Sequence, residues 1–363
     1  MPIKLKKTVE MDRRITYARA VAEAIDICMA KDKSVYIMGL GVPDPSGFFG
    51  TTIGLQEKYG EMRAMDMPTS ENGMTGVAIG SALTGMRPIM AHHRIEFVLL
   101  ATEQIINQAA NWHYMFGGKS SIPLVIRMFI GRGWGQGPQH AQSFQAMFAH
   151  IPGLKVIMPA TPYDAKGLVI AAIEDNNPVI CLEHRWLHTI TGEVPEGVYR
   201  IPIGKARIAR SGSKVTIITF SYMVIETLYA ANVLEKMGID VEVIDLRSLS
   251  PMDTNAILKS VKKTGYLVVV EQAWKTGGVA GEIIALAAEE VYDYLKTKPV
   301  RLTLPDVPSP SSPGLTKHYY PRVIDIVNSV LTMLGKSERT EVELGIAQKT
   351  PLDIPNKEFN GPF

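Results

Sequence analysis

The sequence predicts an α/β protein made of two doubly wound domains. Short apolar runs alternate with longer segments of helical periodicity along most of the 363 residues, which is the pattern of strands separated by helices. The runs are continuously apolar rather than alternating, which indicates parallel sheets covered on both faces. The series is interrupted once, by a stretch rich in glycine and proline, and then starts again, so we expect two domains.

The first series predicts five strands and four helices. The strands are short apolar runs at residues 35–38, 88–90, 124–128, 155–158 and 179–182. The helices are longer amphipathic or apolar segments at residues 16–30, 75–84, 103–112 and 162–174.

The second series repeats this order. Its predicted strands cover residues 215–220, 241–246, 267–270 and 300–304, and its helices cover 223–237, 253–262, 280–295 and 322–334. The predicted organisation is an N-terminal extension (1–12), a first domain (13–190), a linker (191–204), a second domain (205–335) and a C-terminal arm (336–363). The arm is polar and contains proline, which is typical of an extended segment.

Composition narrows the class of protein. The net charge of +2 gives no global bias toward nucleic acid or membranes, so neither is expected as a partner. Cys28 and Cys181 lie in apolar runs outside any CxxC pair, and are interpreted as core residues rather than zinc ligands. No apolar stretch approaches the roughly 18 residues of a membrane span. The N-terminus lacks the apolar core of a signal peptide, so we expect a cytoplasmic protein.

Three segments stand where a doubly wound sheet usually binds ligands, beyond the carboxyl ends of strands. Glu71 lies between a strand and a helix. Its carboxylate either takes part in the reaction or is an acid at a helix N-terminus, where the helix dipole favours it. A glycine-dense loop at 131–138 leads to His140, a general acid/base or a structural histidine. His92-His93-Arg94 has two interpretations. It is either a cationic group that faces an anionic substrate or a polar surface turn. Adjacent histidines point apart, so they are not expected to chelate a metal.

Several enzyme classes do not fit. The glycine loop lacks the lysine and hydroxyl residue of a Walker loop, and it does not open a first dinucleotide-binding unit. The sequence has no HExxH or GxSxG segment, and neither cysteine has the polar surroundings of a nucleophile.

Ordered segments along residues 13–335 resemble the beta subunit of the thiamine-diphosphate-dependent first component of 2-oxoacid dehydrogenase complexes. This family covers pyruvate, branched-chain and acetoin types and is similar to the second half of transketolase. The segments are RITY at 14–17, MPTSE at 67–71, GMRP at 85–88, QIINQAA at 104–110, QH at 139–140, PGLKV at 152–156, DAKGL at 164–168, NNPV at 176–179, DLR at 245–247, PMD at 251–253 and SVKKT at 260–264. The resemblance implies a pyrimidine-binding domain followed by a transketolase C-terminal-like domain.

The resemblance also implies site residues. The family's glutamate at the position of Glu71 hydrogen-bonds the coenzyme's aminopyrimidine, which helps the coenzyme to activate itself. An aromatic residue at the position of Phe97 stacks on that ring, and a histidine at the position of His140 handles the substrate and the acyl acceptor. A potassium ion is implied at the backbone carbonyls of Leu124, Ala172, Ile173, Asp175 and Asn177.

The partners follow from the same resemblance. The family's alpha chain holds the coenzyme diphosphate through magnesium with a Gly-Asp-Gly segment, and this sequence contains no such segment. We therefore expect an α2β2 assembly with active sites between alpha and beta chains, and a lipoyl transacylase as a further partner in a dehydrogenase complex.

The chain departs from the family pattern in four places: at Leu40, at residues 90–94, at Ala141, where the family has a serine beside the histidine, and in the arm beyond Gly335. Leu40 stands where the family has a glutamate proposed to link paired active sites by an acidic path. His93 and Arg94 replace residues beside the substrate pocket, which favours a more polar or anionic substrate than pyruvate. The main hypothesis is oxidative decarboxylation of a 2-oxo acid with acyl transfer to a lipoyl group. The alternatives are a split transketolase-like or deoxyxylulose-phosphate-synthase-like carboligase, and a non-catalytic scaffold.

Overall fold

The computed structural model describes residues 13–132 and 135–346. The predicted N-terminal extension, two residues of the glycine loop and residues 347–363 of the predicted arm lie outside these ranges. The strands are β1 (Arg14–Thr16), β2 (Val35–Gly39), β3 (Ala64–Met65), β4 (Arg87–His92), β5 (Val125–Ile130), β6 (Lys155–Ile157), β7 (Val179–His184), β8 (Thr191–Glu193), β9 (Arg207–Arg210), β10 (Val215–Thr219), β11 (Val241–Asp245), β12 (Ser248–Ser250), β13 (Leu267–Trp274) and β14 (Val300–Leu304).

The α-helices alternate with these strands. They are α1 (Tyr17–Lys31), α2 (Leu55–Tyr59), α3 (Glu71–Leu83), α4 (Ile95–Val98), α5 (Ala110–Met115), α6 (Gln145–Ala149), α7 (Pro162–Glu174), α8 (Met223–Lys236), α9 (Thr254–Thr264), α10 (Val279–Val291), α11 (Pro313–Thr316) and α12 (Val323–Met333). The predicted helix at 103–112 is a π-helix over Gln104–Ala109 that runs into α5.

Two sheets organise the described chain. The first has seven strands in the order β12-β6-β7-β5-β4-β2-β3, and the second has five in the order β14-β13-β10-β11-β9. The pairs within each are parallel, apart from the antiparallel edge strands β12 and β9. The predicted α/β fold with parallel sheets is confirmed.

Two contacts cross the middle of the chain. β12 belongs to the second half of the sequence, yet it pairs with β6 and forms the edge of the first sheet. β8 lies at the start of the predicted linker and pairs antiparallel with β1.

Both faces of the first sheet are buried, as its apolar strands require. Ile37 and Ile89 pack into one hydrophobic cluster with residues of α1 and α7. Their neighbours Met38 and Met90 point the opposite way, into a second cluster with residues of α3 and α9. Each cluster also contains residues of the second sheet, so the two halves share their cores.

Local signals explain where several helices start. Thr16 caps α1 by accepting a hydrogen bond from the Arg19 amide at 3.2 Å, and Thr161 caps α7 by accepting from the Asp164 amide at 3.1 Å. Cys28 and Cys181 are free and buried, which confirms them as core residues. Residues 336–346 fold back on α12, where the Arg339 amide donates to Asn328 Oδ1 at 2.9 Å.

Candidate active site

The candidate site lies at the carboxyl edge of the first sheet. The parallel strands β2, β4, β5 and β7 lie side by side and end at Gly39, His92, Ile130 and His184. Loops that follow neighbouring parallel strands emerge on the same side, which is where doubly wound sheets bind ligands. This rule places the segments singled out from the sequence around one edge.

Glu71 is the first residue of α3 and is 6% exposed. Burying a carboxylate is costly unless it gains a partner. Among the residues that the structure describes, no hydrogen bond or ion pair reaches the Glu71 side chain, and the cap residue Ser70 makes no side-chain capping bond. The helix dipole favours a negative charge at this position, but the carboxyl oxygens remain available for a ligand.

Phe97 and His140 come together next to this helix. Phe97 lies in α4, which contacts α3, and its ring meets the His140 imidazole edge to face with centroids 5.8 Å apart. His140 Nδ1 lies against the carbonyl of Gln139. If Nδ1 carries the proton, it donates a hydrogen bond to that carbonyl. Nε2 is then the nitrogen available to a substrate.

Two arginines contact the segment from the glycine loop to His140, through the side chain of Gln136 and the backbone carbonyl of His140. Arg94 Nη1 donates to the carbonyl of His140 at 3.0 Å and to Gln136 Oε1 at 3.0 Å. Arg185 Nη2 donates to the same carbonyl at 2.8 Å, and its Nη1 also bonds Gln136 Oε1. Arg94, expected from the sequence to face a substrate, therefore has loop partners in this structure.

Glu96 fixes the loop beyond the histidine. Its Oε1 accepts a hydrogen bond from the Gln142 amide at 2.7 Å. Burial raises the pKa of Glu96, and the bond from the Gln142 amide and the charge of Arg94 lower it in part. The segment from Arg94 to Phe97 therefore supplies two side chains that contact the loop, Arg94 and Glu96, and the ring that packs against His140.

The paired histidines have different surroundings. His92 is buried, its Nε2 has no hydrogen-bond partner in the described ranges, and burial lowers its pKa to about 4, with His93 adding to the effect. His93 is half-buried against the Phe48 ring, with centroids 4.9 Å apart. A Cβ atom built at Gly41 would lie 3.4 Å from His93 Nε2, so this imidazole borders the glycine that follows Leu40.

The positions implied for potassium lie around the end of α7. Arg87 donates to the carbonyls of Ile173 and Asp175 at 3.0 Å and 2.7 Å. The Ala172 carbonyl accepts from the Asp175 amide at 3.2 Å. Asn177 Oδ1 is buried without a hydrogen-bond donor among the described residues. This unpaired acceptor, beside carbonyls that each retain a second lone pair, is compatible with a hard monovalent cation.

Leu124 completes the implied potassium set. Its carbonyl accepts a hydrogen bond from the Val179 amide at 2.9 Å, where β5 and β7 begin. Elsewhere in the same described ranges, no three His, Cys, Asp or Glu side chains come together as a metal site. No helix of the described chain is long and apolar enough to cross a bilayer.

A buried polar network and one loop contact were not predicted from the sequence. Arg127 and Glu183 form an ion pair with Nε–Oε1 and Nη2–Oε2 distances of 2.7 Å and 2.9 Å, and His188 Nε2 lies 3.2 Å from Glu183 Oε2. Arg185, the loop contact, directly follows β7. The rule that singled out the residues after β4 also applies to the end of β7, and could have found it.

Comparison with known families agrees with this architecture. Residues 13–189 match the transketolase pyrimidine binding domain, and residues 204–326 match the transketolase C-terminal domain. A solved structure described as a split gene transketolase, an inactive beta4 tetramer, superposes with a TM-score of 0.74 at 24% identity. The superposition covers 90% of this chain and 100% of the chain in that structure. This likeness shows the fold alone.

Curated relatives are more similar in sequence. The beta subunit of acetoin:2,6-dichlorophenolindophenol oxidoreductase from Cupriavidus necator is 44% identical, over 87% of this chain and 96% of its own length. The mitochondrial pyruvate dehydrogenase E1 component subunit beta from Bos taurus is 40% identical, over 91% of this chain and 93% of its own. The family and the two-domain fold class predicted from the sequence are confirmed, and the chain belongs to the family of beta subunits of thiamine-dependent 2-oxoacid dehydrogenases.

Proposed function

We propose that this chain, paired with an alpha chain, catalyses oxidative decarboxylation of a 2-oxo acid and transfers the acyl group to a lipoyl group. The observation that carries the proposal is Glu71, a residue that is only 6% exposed and whose carboxyl group has no protein partner in the described ranges, at the start of α3 beside the pair formed by Phe97 and His140. The names of the relatives favour a dehydrogenase over the carboligase alternative.

The coenzyme fits these residues at its pyrimidine end. Bound thiamine diphosphate would supply the electron sink for loss of carbon dioxide. Glu71 would hydrogen-bond a ring nitrogen of the aminopyrimidine, which gives a partner to a carboxyl group that has none among the described residues. Phe97 offers an aromatic face to the same ring.

His140 would act next to the reacting carbon. Its Nε2 is the nitrogen free to donate or accept a proton at a substrate oxygen or at a lipoyl sulfur. The edge-to-face contact with Phe97 would keep the imidazole beside the coenzyme ring.

The remainder of the coenzyme is assigned to the partner. A diphosphate needs a cation and several donors, and the sequence lacks the Gly-Asp-Gly segment that holds magnesium in the family's alpha chain. Magnesium would therefore be held mainly by an alpha subunit, in an α2β2 assembly with sites between unlike chains. A lipoyl transacylase is proposed as the acceptor partner. Potassium at the carbonyls of Leu124, Ala172, Ile173 and Asp175 and at Asn177 would fix the start of β7.

The substrate pocket is proposed to border His93 and Arg94. His93 presents an imidazole beside Gly41, and the Nε and Nη2 atoms of Arg94 make no hydrogen bond with the described residues. These donors suit a carboxylate or hydroxyl substituent better than an alkyl chain. The candidate substrates are pyruvate, branched-chain or more polar 2-oxo acids, and acetoin, which appears in the names of two relatives.

The test uses the chain assembled with its co-expressed alpha subunit. Each candidate substrate is assayed for decarboxylation or cleavage with an artificial electron acceptor, and for acyl transfer to a lipoyl domain. Glu71→Ala is expected to lower turnover by about 10²–10⁴-fold, the usual contribution of an acid/base position. Glu282→Ala is the matched control, because Glu282 is also an acid in the first turn of a helix but is exposed on α10.

The outcomes separate the hypotheses. Unchanged turnover in the Glu71→Ala complex would support a scaffold and reject the proposed catalytic role. Product formation only when an aldehyde or sugar acceptor is added would support the carboligase instead.

A further inference from the structure

We propose that Arg185 is a positioning residue that acts with Arg94 to clamp the backbone of the His140 loop over the sheet edge. The proposal rests on the catalytic role assigned to His140 above. It adds a residue from a different strand end to the proposed machinery, and it assigns Arg94 a structural task besides any contact with substrate.

The clamp consists of two guanidinium groups that share two oxygens. The carbonyl of His140 accepts from Arg94 Nη1 at 3.0 Å and from Arg185 Nη2 at 2.8 Å. The side-chain oxygen of Gln136 accepts from Arg94 Nη1 at 3.0 Å and also from Arg185 Nη1. Each oxygen therefore binds both cations, and both oxygens belong to the loop that carries the imidazole.

Placing two arginines together in this way is unfavourable without the loop. Arg185 is only 8% exposed. Burial first, and then the positive charge of Arg94, lower its pKa to about 10. Glu96 is the nearby carboxylate that offsets part of this charge. The two loop oxygens supply the acceptors that the guanidiniums need, so the contacts of Gln136 and His140 and the arginine pair stabilise one another.

The loop depends on such contacts because its own backbone is permissive. Gly131, Gly135 and Gly137 all adopt positive φ angles, and glycine loses more conformational freedom on ordering than other residues do. Further contacts near the histidine are the Gln142 amide with Glu96 at 2.7 Å, Ser309 Oγ with the Ala141 carbonyl at 3.4 Å, and two backbone bonds, from the His140 amide to the Gly137 carbonyl at 3.3 Å and from the Gly131 amide to the Gln142 carbonyl at 3.4 Å. The two backbone bonds are internal to the loop and the contacts of Glu96 and Ser309 lie beyond the histidine, so Arg94 and Arg185 are the side chains that tie Gln136 and His140 to the rest of the domain.

The chemistry of the clamp requires arginine at position 185. A guanidinium presents several N–H donors in a fixed plane and reaches two oxygens with separate nitrogens, whereas a lysine ammonium is a single point of charge. Losing Arg185 would leave Arg94 as the only donor to the His140 carbonyl among the residues that the structure describes. The imidazole would then sample positions away from the reacting atoms, and a displacement of about 1 Å can cost about 100-fold in rate.

The experiment compares Arg185→Ala and Arg185→Lys with the unmodified α/β holoenzyme. Arg185→Ala is expected to lower kcat by about 10–100-fold and to leave the KM for thiamine diphosphate within about threefold, because Glu71 and Phe97 remain in place. Hydrogen exchange of the backbone amides at 135–142 should become faster. Added guanidinium ion at millimolar concentration should restore part of the kcat of Arg185→Ala, and Arg185→Lys should retain an intermediate kcat.

Arg63→Ala is the matched control. Arg63 is also partly buried and donates to the backbone carbonyls of Met29, Asp32 and Val35, but it lies at the amino end of β2. Its loss should leave kcat and exchange at 135–142 unchanged, and guanidinium should have no effect on it.

Two results would overturn the clamp. One is an Arg185→Ala holoenzyme with unchanged kcat and unchanged exchange at 135–142. The other is a loss of kcat that is matched by Arg63→Ala and not rescued by guanidinium. If Arg185→Ala does not assemble, Arg185→Lys decides the question by its kcat and by its hydrogen exchange at 135–142: unchanged values of both would overturn the clamp. Full activity of Glu71→Ala would reject the proposed function instead, while the exchange measurement would still test the clamp.

Discussion

The rings of Phe97 and His140 meet edge to face, with centroids 5.8 Å apart and planes at 89°. This geometry suits aromatic pairs, because the positive edge of one ring meets the negative face of the other. It joins two segments that follow different strands of the first sheet. The ring proposed to contact the coenzyme thus also supports the imidazole proposed to act on the substrate.

Replacing Phe97 should therefore affect coenzyme binding and turnover together. Phe97→Leu removes the aromatic face and the edge-to-face contact, each worth about 0.5–1.5 kcal/mol beyond buried area. We expect the dissociation constant of thiamine diphosphate to rise by about tenfold and kcat to fall by a similar factor, measured by fluorescence titration and steady-state kinetics of the α/β complex. Phe97→Tyr keeps the ring and serves as the control. A Phe97→Leu enzyme with normal coenzyme affinity would contradict the proposed stacking.

Gly131→Ala tests whether the start of the glycine loop tolerates a side chain. A Cβ atom at Gly131 would lie 2.1 Å from Nε2 of the buried His184, and its φ of 91° is strained for alanine. We expect this variant to lose activity and to unfold at a lower urea concentration. Gly80→Ala is the control, because Gly80 lies within α3, is exposed and has no neighbour within 4 Å of an added Cβ. That change should raise stability by about 0.5–1 kcal/mol.

The first sheet shows what could be predicted from the sequence. Its central strands are continuously apolar runs, and that local property is enough to predict buried parallel strands. β12 was not predicted, because Ser248–Ser250 is a short polar segment whose strand conformation depends on β6, far away in the chain. The register of such a pair is fixed by tertiary packing rather than by local propensity.

The candidate site shows the same limit. Glu71 and His140 could be singled out because each directly follows a segment with a recognisable pattern. The shared contact of Arg94 and Arg185 with one carbonyl could not, because it depends on how two strand ends approach each other in space. The prediction that Arg94 faces the substrate remains a prediction, alongside the loop contacts that its Nη1 makes.

The buried ion pair of Arg127 and Glu183 should make stability fall in acid. Burial alone would raise the pKa of Glu183, but the charge of Arg127 and the bonds from His188 and Arg127 lower it to about 2. A carboxyl group whose pKa is lower in the folded state stabilises the fold above its unfolded pKa, near 4.5. That contribution is lost as the pH falls from about 4.5 to about 2.

Glu183→Gln removes the charge and leaves Arg127 buried without a counterion. We expect the free energy of unfolding at pH 7, measured by urea titration, to fall by about 3–5 kcal/mol. The control is Glu235→Gln, at an exposed ion pair with Arg210, where a change below about 1 kcal/mol is expected. Equal destabilisation by the two variants would show that the buried ion pair contributes no more to the free energy of unfolding than the exposed one.

Asp245 should have the opposite dependence on pH. It is fully buried at the end of β11. Burial, opposed by the charge of Arg207 and reinforced by that of Asp164, raises its pKa to about 7. The folded protein therefore retains a proton that the unfolded chain, with a pKa near 3.8, has already released. Stability from this group is greatest below about pH 4 and declines as the pH rises to about 7, by at most about 1.4 kcal/mol per pH unit.

Asp245→Asn should remove this decline, because the amide oxygen can still accept the Arg247 N–H bond of 3.1 Å without a titrating proton. The measurement is the slope of the unfolding free energy between pH 4.5 and pH 7, which should be flatter in the variant than in the unmodified protein. Asp240→Asn is the control, since Asp240 is exposed and its pKa is lowered first by its Ser213 hydrogen bond. Its titration falls below this window. Identical slopes in the unmodified protein and Asp245→Asn would mean that Arg207 and Arg247 keep Asp245 ionised in the folded state.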